Sequence, residues 1–240
     1  MTEVAVSFIV PVYNNIATLQ QLYDGLCAVA SQENWTYEIV FVDDNSKDAS
    51  LEVLMLLKKN GPVQVCHLTE NMGQSVALLM AMQFAKHNYI VALDADLQDD
   101  VQNIPLLVNT LVPSKVQVVF GGRAGTYEKR GRHLTAKFFK YLIYLLSHKR
   151  IPVNAGLFFA IKNTAAKEMA LYAGSKPYLL SLMAKLKLDV FAVPIYRQPN
   201  ALSQSGYTFW KRIKVGYNGL HAFYTCSIKP LPNGIIKKME

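Results

Sequence analysis

Strand-length runs of apolar, β-branched residues alternate with stretches of helical spacing through the first half of the chain, and each run stops at a polar cluster. Val4 to Val12 reads as a buried parallel strand, with Pro11 near its end and Tyr13-Asn14-Asn15 as a turn. Thr18 to Ala30 then places Leu19, Leu22, Leu26 and Val29 on one helical face. A second strand, Tyr37 to Val42, ends at Asp43-Asp44-Asn45-Ser46. Ser46 or Asp48 is placed to cap the helix that follows, through Leu57. A third strand, Val63 to Leu68, leads through Asn71-Met72-Gly73-Gln74-Ser75 into a helix from Val76 to Lys86. The fourth run, Tyr89 to Leu93, meets Asp94-Ala95-Asp96-Leu97-Gln98.

This order argues for an α/β fold, a mostly parallel sheet with helices on both faces. Such sheets bind ligands beyond the carboxyl ends of their strands. Each polar cluster alone reads as an ordinary turn, but together they are expected to line one crevice. No Gly-x-Gly-x-x-Gly and no Walker lysine loop is present, which argues against a dinucleotide or a P-loop nucleotide.

Strand side chains alternate faces, so Asp94 and Asp96 point the same way if the fourth strand continues through them. Paired carboxylates at a strand end suit a hard divalent cation, which takes oxygen ligands and leaves places for substrate phosphates. The spacing by itself equally describes an acidic turn.

The chain has 240 residues, which fits one large domain or two small ones, and 51% of them are hydrophobic, enough for a sizeable core. Its formal charge of +8 points to anionic partners. The excess lies in the second half, where residues 123–150 hold a single acid, Glu128, and residues 197–238 hold none. Aromatic and basic residues do not interleave as in a nucleic-acid module, so no nucleic acid is expected. Cys27, Cys66 and Cys226 have no metal spacing and form no disulfide framework, which fits a reducing, cytosolic setting. The start lacks the pattern of a signal peptide, and no apolar run reaches the ~18 residues of a membrane span.

The motifs Phe8-Ile9-Val10-Pro11-Val12-Tyr13-Asn14, Val42-Asp43-Asp44-Asn45-Ser46, Asn71-Met72-Gly73-Gln74-Ser75 and Leu93-Asp94-Ala95-Asp96-Leu97-Gln98 resemble those of family 2 glycosyltransferases with the GT-A fold. With Gln98, the last resembles the polyprenyl-phosphate branch, which includes dolichyl-phosphate mannose synthase. The similarity runs from about Val4 to about Pro232. The resemblance implies that Pro11, Tyr13, Asn15, Asp43, Asp44, Gln74 and Asp94 bind the nucleotide. It implies that Asp94 and Asp96 position its diphosphate through Mg²⁺ or Mn²⁺, with Asp96 and Gln98 at the metal. Asn15 departs from the family, which often has an acid there.

The second half is expected to bind the acceptor. Val116 to Phe120 reads as a fifth strand ending at Gly121-Gly122-Arg123, and the resemblance puts Arg123 on phosphate. Arg132 matches a second phosphate-binding arginine, ahead of a helix from about Leu134 to Ser147. Asn154 stands where an acid is common in the family, and no Asp or Glu lies between Glu168 and Asp189. A hydroxyl acceptor needs a general base; a phosphate acceptor is already ionised and needs arginines. After a last strand, Val190 to Tyr196, Arg197, Ser205 and Tyr207 loosely fit the branch's acceptor loop. From Trp210, Ile213, Tyr217, Leu220 and Tyr224 recur at helical spacing, with Lys211, Arg212 and Lys214 off that stripe. This suits either a membrane interface or packing against the sheet.

The chain is thus expected to be a single GT-A domain over 1–232, with a donor half to about 112, an acceptor half over 113–206, an amphipathic segment over 207–232 and a tail over 233–240. The expected activity is inverting, metal-dependent transfer of a sugar from a nucleotide-sugar to a polyprenyl phosphate, by a protein peripheral to the cytosolic membrane face. Two alternatives stand beside it: transfer to a hydroxyl of a lipid-linked saccharide, and a non-catalytic nucleotide-sugar-binding homologue.

Overall fold

The structure, a computed structural model, describes residues 3–123, 141, 144–145, 150–195, 225–229 and 234–239. Its centre is an eight-stranded sheet. The strands are β1 (Ala5–Val12), β2 (Thr36–Asp43), β3 (Val63–Leu68), β4 (Tyr89–Ala92), β5 (Val118–Arg123), β6 (Phe159–Lys162), β7 (Val190–Ile195) and β8 (Ile236–Met239). Their order is β7-β5-β6-β4-β1-β2-β3-β8. β1 pairs in parallel with β2 and β4, β2 with β3, and β5 with β7. β6 runs antiparallel between β4 and β5, and β8 antiparallel beside β3.

The helices are α1 (Leu19–Gln32), α2 (Ser50–Leu57), α3 (Gln74–Phe84), α4 (Ile104–Leu111), α5 (Asn163–Ala170) and α6 (Leu179–Lys185). Helices α1, α2 and α4 pack on one face of the sheet with Val6, Phe8, Val10 and Val12 of β1. On the opposite face α3, α5 and α6 pack with Ile9. The alternation along β1 follows from the two-residue period of a strand buried on both faces. Among the described residues, no helix is long and apolar enough to cross a membrane.

Two differences from the expected layout have physical causes. The fourth strand stops at Ala92 and does not continue through the carboxylates. Leu93 N–H donates to Ile9 O at 3.3 Å, the last bond of the β1–β4 ladder. The next bond on that side needs an N–H at position 11, and Pro11 has none. Residues 236–239, expected as a tail, instead add a strand to the sheet. Ile235 O accepts from Thr69 N at 2.8 Å, so β8 covers the edge that β3 would otherwise expose. The expected helix over 134–147 lies largely outside the described residues.

Candidate active site

The turns after β1, β2 and β4 and the start of α3 meet at the carboxyl end of the parallel strands. They enclose a cavity of about 200 Å³ lined by Pro11, Tyr13, Asn15, Asp44, Gln74, Asp94 and Asp96, with Val12 and Ala95. All four polar clusters therefore contribute to one site, as strands of one direction require.

The first two loops are clasped together. Asn14 N–H donates to Ser46 Oγ at 3.0 Å, and Lys47 N–H donates to Asn14 Oδ1 at 2.7 Å. Asn15 N–H donates to Ser50 Oγ at 3.0 Å. Ser50 N–H and Ile16 N–H donate to the two Asp48 oxygens at 3.0 and 3.3 Å. Slight burial works against the Asp48 charge, but the Ser50 side chain and then these N–H groups hold its carboxyl below the usual range. Neither Ser46 nor Asp48 caps α2: Ala49 stands at the cap with no side-chain cap bond, and Asp48, one residue earlier, accepts from the N–H of Ser50. Asn14 and Asn45 both have positive φ, 55° and 59°, which asparagine tolerates better than most residues.

Asp43 and Asp44 have separate surroundings, because successive residues at a strand end face opposite ways. Asp43 is fully buried, 2.7 Å from His67 Nδ1, and accepts from Ser46 N–H at 3.3 Å. It does not line the cavity. Asp44 does line it, and accepts from the N–H groups of Met72 at 2.6 Å and Gly73 at 2.8 Å. Burial pushes the Asp44 carboxyl up; the two N–H groups pull it down, Asp43 pushes it up and Lys176 pulls it down. The balance leaves it raised. Gly73 takes φ 87°, which glycine adopts without steric cost, and turns the chain from these two amides into α3.

Asp94 and Asp96 are half-buried in the turn after β4. The Gln74 side-chain amide donates to Asp94 Oδ1. Gln98 N–H donates to Asp96 Oδ1 at 3.0 Å, closing a turn in which Leu97 takes φ 56°. The two carboxylates converge on the cavity through this turn, not through the pleat of a strand. Gln98 itself is outside the cavity lining.

Thr18 was not foreseen. It sits where a helix N-cap is expected, yet its hydroxyl makes no cap bond. It donates to Ala95 O at 2.5 Å, with Asn15 O at 3.1 Å, and so ties α1 to the turn carrying Asp94 and Asp96. A threonine at a helix start is visible in sequence, but its distant partner is not. His67 was likewise missed.

Arg123 ends β5, in register with Ile195 of β7. Gly122 makes room for the Asn154 amide: a β-carbon there would lie 2.4 Å from Asn154 Nδ2. The loop before β6 therefore packs on the end of β5, at the same sheet end as the cavity. Arg132, Arg197, Ser205, Tyr207 and the stripe from Trp210 lie outside the described residues.

Two carboxylates facing an open cavity form an all-oxygen donor set, matching Mg²⁺ or Mn²⁺ held jointly with ligand phosphates. Among the described residues, no group of three or more His, Cys, Asp or Glu gathers to hold a metal by itself.

A family model described as glycosyl transferase family 2 matches residues 7–170. The chain is 29% identical over 230 residues to the uncharacterized glycosyltransferase YkcC of Bacillus subtilis, covering 94% of this chain and 69% of that protein. It is 23% identical over 225 residues to the prophage bactoprenol glucosyl transferase homolog of Escherichia coli, covering 93% and 74%. It is 24% identical over 228 residues to the undecaprenyl-phosphate 4-deoxy-4-formamido-L-arabinose transferase of Photorhabdus laumondii, covering 94% and 70%. Among solved structures, glucosyl-3-phosphoglycerate synthase from Mycobacterium tuberculosis, in complex with Mn²⁺, UDP and glucosyl-3-phosphoglycerate, matches with a TM-score of 0.66 at 16% identity, covering 94% and 81%. That likeness establishes the GT-A fold.

Proposed function

We propose, from the premise that this chain belongs to glycosyl transferase family 2, that it moves a sugar from a nucleotide-sugar to a polyprenyl phosphate. The observation that carries this is the cavity where Tyr13, Asn15, Asp44 and Gln74 meet Asp94 and Asp96. The names of the Escherichia coli and Photorhabdus laumondii relatives support a polyprenyl-phosphate acceptor.

In this reading Pro11, Tyr13, Asn15 and Asp44 surround the nucleoside, and Gln74 orients Asp94. Asp43 acts from behind, setting the turn that carries Asp44. Asp94 and Asp96 are the residues that would hold a divalent cation, Mg²⁺ or Mn²⁺. Such a cation would supply positive charge against the negative charge that develops on the leaving nucleoside diphosphate.

Arg123, Arg132 and Arg197 receive the acceptor phosphate, with Ser205 and Tyr207 beside it. Arginine suits this role because its planar fork bonds phosphate oxygens in pairs. The acceptor oxygen is already ionised, so it attacks the anomeric carbon, opposite the departing diphosphate, without a general base. The neutral Asn154 beside the end of β5 fits this chemistry. Residues to about 112 form the donor half and 113–206 the acceptor half, and the amphipathic segment from Trp210, with Lys211, Arg212 and Lys214 beside its apolar stripe, rests on an anionic membrane surface.

The test is a donor screen with purified protein, Mn²⁺ and a short polyprenyl phosphate, read by nucleoside diphosphate release. Acceptor-dependent release from one nucleotide-sugar supports the proposal. No release from any donor, by protein that binds none of them, removes it.

A further inference from the structure

Asp43 is fully buried and stands outside the cavity lining, and its carboxylate meets a histidine. His67 lies opposite it in β3, in register across the β2–β3 ladder. The histidine side chain is 14% exposed, with Nδ1 2.7 Å from Asp43 Oδ2. An ionised carboxylate only accepts, so the ring nitrogen carries the hydrogen of this bond. Burying a carboxylate is costly unless partners satisfy it, and His67 supplies such a partner.

The other contacts of Asp43 lead toward the cavity. Ser46 N–H reaches both Asp43 oxygens, at 3.3 and 3.4 Å, which folds residues 43–46 into a turn over the carboxylate. Ser46 Oγ accepts from Asn14 N–H at 3.0 Å, and Asn14 Oδ1 accepts from Lys47 N–H at 2.7 Å. Asn14 sits between Tyr13 and Asn15, which line the cavity, and Asp44, next to Asp43, lines it as well. Two residues beyond His67, Thr69 O accepts from the Asn45 side-chain amide at 3.1 Å, a second tie between the end of β3 and the same turn. Asn14 and Asn45 hold φ 55° and 59°, and such conformations persist where surrounding contacts over-determine them.

We propose that His67 is a positioning residue for the donor: through Asp43 and Ser46 it sets the two loops that present Tyr13, Asn15 and Asp44 to the nucleoside. It does so without lining the cavity itself. Loops already held in the bound shape lose less freedom when the ligand arrives, so the effect falls on donor affinity. The role rests on the nucleotide-sugar reading of the cavity and adds to it a residue in the body of β3.

Asparagine and leucine at position 67 separate the hydrogen bond from the packing. Asparagine places an amide nitrogen as many bonds from Cα as Nδ1, and leucine places a methyl there. Wild type, His67→Asn, His67→Leu, Ser46→Ala and the double variant His67→Leu/Ser46→Ala are compared by calorimetry with Mn²⁺ and UDP, GDP, dTDP, CDP or ADP, at a temperature where each is folded by circular dichroism. For the diphosphate that wild type binds, His67→Leu weakens affinity about tenfold, Ser46→Ala weakens it about fivefold, and His67→Asn stays within about threefold of wild type. The double variant stays within about twofold of His67→Leu, because both changes break one path. A histidine that only stabilises the fold lowers the unfolding temperature and leaves the affinity of the folded protein alone, so folded His67→Leu within about twofold of wild type overturns the role. An equal loss in His67→Asn, or losses that add in the double variant, overturns it too. Where His67→Leu does not fold, Ser46→Ala decides: wild-type affinity there overturns the path, and the fivefold loss supports it. If wild type binds none of the five diphosphates, the donor reading of the cavity fails, and the histidine's role falls with it.

Discussion

The backbone N–H of Met72 donates to Oδ1 of Asp44 at 2.6 Å, and that bond joins the loop before α3 to the end of β2 across the wall of the cavity. With the Gly73 bond at 2.8 Å it fixes the Asp44 carboxylate before any ligand arrives. Hydrogen bonds to a charged group are worth about 1.5–3 kcal/mol each. Replacing Asp44 by Ala leaves two donors without their partner. It is expected to lower stability by about 2 kcal/mol and to weaken binding of the nucleoside diphosphate. Denaturant unfolding and calorimetry read the two effects separately.

Asp44 also predicts a pH dependence. Burial raises its carboxyl in the fold despite the two N–H groups. An acid harder to ionise in the fold than in the unfolded chain favours folding while protonated, and that contribution is lost as pH rises through the folded value. Against the Asp44→Asn variant, wild type is therefore expected to lose relative stability as pH climbs from below the ordinary Asp value of about 3.9. Paired unfolding curves from acid to neutral pH measure the gap. A gap that does not change with pH contradicts the burial account.

Thr18 holds the turn that carries Asp94 and Asp96, through Ala95 O. Thr18→Val keeps the shape and removes the donor. We expect a loss of about 1 kcal/mol in stability, with a rise in donor KM larger than the change in kcat. Thr18→Ser, which restores the hydroxyl, recovers most of the donor affinity.

Asp96→Ala removes one of the two carboxylates assigned to the cation. Transfer is expected to fall at least about a hundredfold, the several kcal/mol that a metal contributes at a leaving group, in a protein with unchanged circular dichroism. Asp94→Asn also disturbs the Gln74 contact and is expected to weaken donor binding. Near-wild-type transfer by a folded Asp96→Ala protein removes the metal role.

The parts of this site that were legible in sequence are those set by local pattern. Apolar, β-branched runs marked β1, β2 and β3, and polar residues at their ends marked the loops. The one-directional topology then brought Tyr13, Asp44, Gln74, Asp94 and Asp96 together. The features that local pattern does not encode depend on partners distant in sequence. The end of β4 at Ala92 is set by a missing N–H on Pro11 in the neighbouring strand. The buried state of Asp43 depends on His67 in β3. The β8 strand exists because β3 offers an open edge. Helices α4, α5 and α6, of 8, 8 and 7 residues, are too short for helical spacing to stand out.

Acceptance of the sugar by a phosphate, without an enzymatic base, is read out with two acceptors side by side. A polyprenyl phosphate and a polyprenyl diphosphate sugar are offered with the same nucleotide-sugar and Mn²⁺, and the lipid products are identified by mass spectrometry for wild type and Arg123→Lys. The account predicts a sugar-phosphate lipid from the polyprenyl phosphate alone, with its yield cut in Arg123→Lys because lysine keeps the charge but lacks the planar fork. Glycosylation of the lipid-linked sugar alone, undiminished in Arg123→Lys, contradicts it.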